Sequence, residues 1–237
     1  MKPISHVQNI LKYIPSMVLK HLIAVGNKPR TLPELQPLET VVMFSDISGF
    51  TNISESYAKL GSRGAEELVF CINRYMEALI KTITKYGGDI IKFLGDAMIV
   101  IWPRTNNESL TETVRKAIQS ALEIQSELNN VRIMQDVSKL SVKIGIGAGE
   151  CGLLHVGGVF KRAEFFVVGN ALAQALECEH LSTRGGQVIV SRECWELVKE
   201  NFKGLFIEGH NKVEILELIG LGVRASADAI SIRNQYE

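Results

Sequence analysis

The stretch Thr40-Val-Val-Met-Phe-Ser-Asp-Ile-Ser-Gly-Phe-Thr51 decides the fold. An apolar, β-branched and aromatic run ends abruptly at Asp46, and a Ser-Gly pair then gives way to a helical pattern. This predicts a buried strand that delivers Asp46 to its carboxyl end. Burying a carboxylate is costly unless something uses its charge. Ser48 is placed to cap the following helix, and the N–H groups of Gly49, Phe50 and Thr51 are expected to face whatever Asp46 faces. Such a corner can bring a metal ion and a phosphate together.

A second stretch, Gly87-Gly-Asp-Ile-Ile-Lys-Phe-Leu-Gly-Asp-Ala-Met-Ile-Val-Ile-Trp102, carries two apolar runs flanking Leu94-Gly95-Asp96-Ala97. This predicts a β-hairpin with Gly95-Asp96 in its tight turn. A hairpin beside the first strand brings Asp46 and Asp96 together. Two such carboxylates can hold paired divalent cations about 3.5–4 Å apart, an arrangement suited to phosphoryl oxygens. Period-two alternation sets Lys92, Leu94 and Asp96 on one face, directing Lys92 toward the metal side.

Outward from these segments, residues 4–25 carry a helical apolar stripe interrupted by Pro15, expected to pack on the chain's own domain as one kinked helix or two short ones. Residues 26–37 read as a linker with three prolines. A short helix over 51–60, a break at Gly61-Ser-Arg-Gly64 and a long helix from Ala65 to Ile83 follow. Helix over 114–128, a half-buried strand over 140–148, an apolar pair over 151–168, helix over 171–180, strand over 187–190, helix over 195–199 and a β-rich tail over 205–221 complete the pattern. The expected fold is an α/β (α+β) sandwich with helices packed on a mainly antiparallel sheet. Residues 1–37 are expected to form an N-terminal helical extension and linker, and 38–237 the domain, with a core over about 40–200 and a β-rich tail over 201–237.

Composition narrows the function. The 237 residues are 46% hydrophobic, with Lys plus Arg and Asp plus Glu each totalling 26, so no global field attracts nucleic acid. Cys71, Cys151, Cys178 and Cys194 lack zinc-ligand spacing and suit reduced thiols in a cytoplasmic protein. No apolar run has the ~20 residues of a transmembrane helix.

The segments Phe44-Ser-Asp-Ile-Ser-Gly-Phe-Thr51, Arg63-Gly-Ala-Glu-Glu-Leu68, Gly87 to Asp96, Val142-Lys-Ile-Gly-Ile-Gly-Ala-Gly149 and Phe166-Val-Val-Gly-Asn-Ala171 together resemble the class III nucleotidyl cyclases. They are most similar to the first catalytic half of the bicarbonate-responsive soluble adenylyl cyclases. The resemblance implies a ferredoxin-like, palm-like fold and formation of 3′,5′-cyclic AMP and pyrophosphate from ATP with two Mg²⁺ or Mn²⁺ ions. It implies Asp46 and Asp96 as catalytic metal ligands, with the carbonyl of Ile47 adding a ligand. It also implies that Ile47, Ser48, Gly49, Phe50 and Thr51 hold the triphosphate and that Lys92 contacts phosphate or a bound anion. Gly87-Gly-Asp89 is superficially similar to a diguanylate cyclase signature, but it precedes a full strand instead of occupying a hairpin tip.

The chain departs from the family at informative places. The positions expected to carry a transition-state Asn and Arg are Ala173 and Glu177, a basic position is Glu150, and the bicarbonate-binding Arg position is Leu176. The pattern matches a metal-bearing half-site, weak or inactive as an isolated homodimer, whose partner is a complementary second cyclase domain. The alternatives are a catalytically degenerate nucleotide-binding regulatory module or a guanylyl cyclase. An end near residue 237 is expected to mark a fragment of a longer protein.

Overall fold

The computed structural model describes residues 14–26, 31–105, 107–132, 139–157 and 162–219. Its elements in chain order are α1 (Ser16–Val25), β1 (Glu34–Ser48), α2 (Phe50–Ala58), α3 (Gly61–Lys85), β2 (Asp89–Leu94), β3 (Ala97–Pro103), α4 (Leu110–Leu128) and β4 (Val131–Arg132). Then come β5 (Lys139–Gly157), β6 (Ala163–Gly169), α5 (Asn170–His180), β7 (Val188–Ser191), α6 (Arg192–Val198), β8 (Phe202–Phe206) and β9 (Lys212–Leu218). The strands form one nine-stranded sheet in the order β2-β3-β1-β5-β7-β9-β8, with β4 and β6 also paired to β5. Among the described pairings only β5–β7 is parallel.

Two apolar layers sandwich this sheet. Alternate residues of β1 and β3, including Val41, Met43, Ile47, Met98, Val100 and Trp102, pack against Tyr75, Leu79 and Ile83 of α3 and the buried face of α4. The other parity, Val42 and Ile101, packs with Val18 of α1 and Ala171 and Ala175 of α5. Period-two strands thus meet period-3.6 helices on both faces. A capping box starts α4, the Ser109 side chain accepting from the Glu112 N–H while the Glu112 carboxylate accepts from the Ser109 N–H. The Tyr75 hydroxyl donates to the Leu128 carbonyl at 2.9 Å, tying α3 to the end of α4.

Several expected boundaries move. β1 begins at Glu34, inside the expected linker, because Glu34–Leu38 pairs with His155–Cys151 of β5. The apolar pair expected over 151–168 is instead the far half of one long strand, β5, paired with β6; residues 158–161 lie outside the described residues. Gly61-Ser-Arg-Gly64 opens α3 instead of breaking the chain. Gly64 has no room for a Cβ, which would lie 2.0 Å from the Tyr57 carbonyl, so its bare backbone lets α3 seat on the end of α2. α1 starts immediately after Pro15; the stripe before residue 14 and the tail beyond 219 lie outside the described residues.

Candidate active site

The site forms where β1 runs into α2 beside the β2–β3 turn. In the β1–β3 ladder Asp46 sits opposite Ala97, the residue after Asp96, and the Ile47 N–H donates to the Asp96 carbonyl at 3.3 Å. Gly95 turns the hairpin at φ +72°, a conformation that L side chains rarely adopt. Both carboxylates are thereby fixed at one corner, Asp46 half-buried and Asp96 exposed. Burial pushes the Asp46 carboxyl above its ordinary value, and the Asp96 charge adds to this; Lys143 and the Ile47 N–H oppose it.

The predicted Ser48 cap is not formed. Ser48 remains extended, paired with Ser141, and Gly49 is the N-cap of α2 at φ +94° with no side-chain cap. A Cβ at Gly49 would lie 2.4 Å from the Lys139 carbonyl, so this tight turn excludes larger residues. Ile53 N–H donates to the Gly49 carbonyl at 3.2 Å. The N–H groups of Phe50, Thr51 and Asn52 therefore have no intrahelical acceptor and open beside Asp46, where an anion gains from them.

Lys92 lies on the Asp46 side of the sheet, since it pairs with Ile99, and Ile99 pairs with Phe44. Its ammonium, however, sits 4.6 Å from the centre of the Phe166 ring and 3.9 Å from Glu164 on β6. Its cation–π and ionic partners therefore place it toward β6. Glu150 is seven residues along β5 from Lys143, roughly 23 Å in an extended strand, and so lies remote from this carboxylate corner. Ala173 and Glu177 fall on the exposed side of α5, and Glu177 is ion-paired to Lys212 at 3.1 Å. Asp89 accepts from the N–H groups of Ser16 and Met17 at 2.9 and 2.7 Å, giving the residue after Gly87-Gly88 a capping task at α1.

Two further charged residues join the corner. Lys143 stands directly opposite Asp46 in the β1–β5 ladder. Glu179, in the last turn of α5, has its carboxyl held above the ordinary range by burial and then by Asp46, with Lys143 and His180 opposing. The period-two pattern of Val142 to Gly149 places Lys143 with Gly145 and Gly147, and the 171, 175, 179 spacing turns Glu179 toward the sheet. Those two periodicities were the available signal.

Among the described residues no cluster of three or more His, Cys, Asp or Glu side chains is assembled as a metal site. The donor set nevertheless fits a hard divalent cation. Asp46 and Asp96 repel each other, and main-chain carbonyl, water and phosphate oxygens can complete a shell of the kind Mg²⁺ takes. Residues 34–220 match the family described as the adenylate and guanylate cyclase catalytic domain. This chain belongs to that family.

Adenylate cyclase type 10 of Oryctolagus cuniculus is 34% identical over 181 residues, covering 76% of this chain and 11% of that protein. This cyclase domain therefore spans about a ninth of that relative's length. A photoactivated adenylate cyclase subunit alpha-like protein of Euglena gracilis is 29% identical over 181 residues, covering 76% of this chain and 17% of that protein. The solved adenylyl cyclase CyaB of P. aeruginosa is 25% identical with a TM-score of 0.60, covering 78% of this chain and 96% of that one. The mainly antiparallel sheet with helices on both faces is the class III cyclase fold. No described helix of this cyclase domain is long and apolar enough to cross a membrane.

Proposed function

We propose that this cyclase domain is the metal-bearing half of an adenylate cyclase, forming 3′,5′-cyclic AMP and pyrophosphate from ATP in the cytoplasm when paired with a complementary second cyclase domain. The observation that carries the reading is the convergence of Asp46 and Asp96 beside the uncapped N-terminus of α2. ATP is favoured over GTP by the adenylate cyclase relatives at 33–34% identity.

Asp46, Asp96 and the carbonyl of Ile47 would hold two Mg²⁺ or Mn²⁺ ions. Bound there, such ions supply Lewis acidity to the phosphoryl oxygens and lower the pKa of the ribose 3′-hydroxyl. The Ser48–Gly49 turn holds the triphosphate against α2, where the Phe50 and Thr51 N–H groups donate to phosphate oxygens. Lys92 adds positive charge on the β6 side. Charge that builds on the phosphoryl oxygens during attack needs cationic and amide donors. Ala173 supplies none, and Glu177 is an anion held by Lys212. Those donors are assigned to the partner domain, which makes an isolated homodimer weak.

The test is cyclic AMP formation with Mn-ATP by this chain alone, at several concentrations, and after mixing with a second cyclase half that carries Asn and Arg at the positions of Ala173 and Glu177. A gain on mixing is expected, lost in Asp46→Ala and Asp96→Ala while both variants stay folded. Undiminished activity in both variants would overturn the assignment. The Glu177–Lys212 pair also supports a second reading, a regulatory module that binds Mg-nucleotide without turnover. Metal-dependent binding of a non-cyclisable ATP analogue, with no gain on mixing, would establish that reading instead.

A further inference from the structure

The corner holds one more ionic arrangement than two metal ligands require. Lys143 projects from β5 on the same face as Asp46, its direct partner across the ladder. The next residue on that face is Gly145, and α5 lies on its bare backbone. A Cβ at Gly145 would lie 2.1 Å from the Ala175 carbonyl and 2.3 Å from the Glu179 N–H nitrogen. The Glu179 backbone is thereby seated one strand repeat, roughly 6.8 Å, along β5 from Lys143. The Lys143 ammonium acts electrostatically on two carboxylates, Asp46 from β1 and Glu179 from α5. Among the described residues it forms no direct ion pair with either.

This geometry has a consequence for cation binding. A divalent ion at Asp46 repels an ammonium within a few ångströms, so Lys143 must move aside or weaken the ion's hold. Glu179 lies in the direction away from the β3 side that brings Asp96 to the site. A half-buried carboxylate on the sheet-facing side of a helix is otherwise costly, and a cation that moves to it relieves that cost.

We propose that Glu179 is a positioning residue of the metal site, taking the Lys143 ammonium when a divalent cation occupies Asp46. The inference rests on the reading of Asp46 as a metal ligand. Its test is Mn²⁺ binding to the full chain without nucleotide, followed by calorimetry and by the loss of the free Mn²⁺ paramagnetic resonance signal. Wild type binds Mn²⁺ and Asp46→Asn loses binding. Glu179→Gln, nearly isosteric, weakens Mn²⁺ about tenfold because the Lys143 ammonium then has no second carboxylate to draw it away from the ion at Asp46. Glu179→Asp, which keeps the charge, recovers part of that loss. In a Lys143→Met background Glu179→Gln has little further effect, since the ammonium it would hold is gone.

An unchanged affinity in Glu179→Gln, or an equal loss with and without Lys143, overturns the positioning role while leaving Asp46 as ligand. Equal Mn²⁺ binding in wild type and Asp46→Asn, or no binding in either, overturns the metal-site reading and this inference with it.

Discussion

Asp46 carries a charge that the metal-free fold disfavours. Its carboxylate is half-buried and faces Asp96, and only Lys143 and one N–H offset this. Asp46→Asn keeps the shape and removes the charge, so the metal-free domain should become more stable while losing metal binding. After solvent screening the gain is under ~1 kcal/mol, or about 2 °C in melting temperature for a domain of this size. Thermal unfolding in chelator, wild type against variant, checks it; a lower melting temperature would show that Asp46 is already satisfied. The meeting of Asp46 and Asp96 was legible in the sequence because Asp46 closes an apolar run two residues before β1 ends and Asp96 sits in a Gly-Asp hairpin turn. Lys143 and Glu179 were not, because their meeting depends on β1–β5 register and on which face of α5 touches the sheet. The placement of Lys92 over Phe166 also escaped the sequence, since its strand alternation gives a face but not the distant strand waiting there.

The seat of α5 is the element on which the rest of the corner depends. Gly145 and Gly147 leave β5 without side chains where the helix crosses, and a Cβ at Gly147 would lie 2.2 Å from the Ala171 carbonyl. Gly145→Ala should lift α5 from the sheet at a cost of about 1–3 kcal/mol. It should also weaken Mn²⁺ binding by carrying the Glu179 carboxylate out of reach of the Lys143 ammonium. Denaturant unfolding together with Mn²⁺ titration reads both effects, and a variant of unchanged stability would mean that α5 shifts freely. The strand from Leu140 to Ala148 was readable from its alternation, and α3 and α4 from their three- and four-residue stripes. The continuation of β5 to Gly157 was not, because Gly149-Glu150 looks locally like an end. Only pairing with Glu34–Leu38 and with β6 keeps the strand intact there, and those partners are distant in sequence.

At the scale of the molecule, helix and strand periods made a layered α/β fold legible, but not the strand order, which is fixed by crossovers such as the parallel β5–β7 pair. The same order leaves one face of α5 outward, with Ala173, Leu176 and Glu177 exposed. If a partner domain supplies the missing donors, grafting them here should make two copies of this chain self-sufficient. Ala173→Asn with Glu177→Arg is expected to raise cyclic AMP formation by the homodimer with Mn-ATP at least tenfold, since one well-placed donor contributes about 10²–10³ in related charge-stabilising sites. Glu177→Gln is the necessary comparison. Lys212, only 15% exposed in its side chain, loses its counter-ion in both variants, so any effect of freeing Lys212 appears in the Gln variant as well. A gain confined to the Asn/Arg variant, rising with protein concentration, places the deficit in missing donors at a shared interface. An equal gain in the Gln variant would place it in the Glu177 charge itself, and no gain in either would mean that α5 does not face a partner's triphosphate.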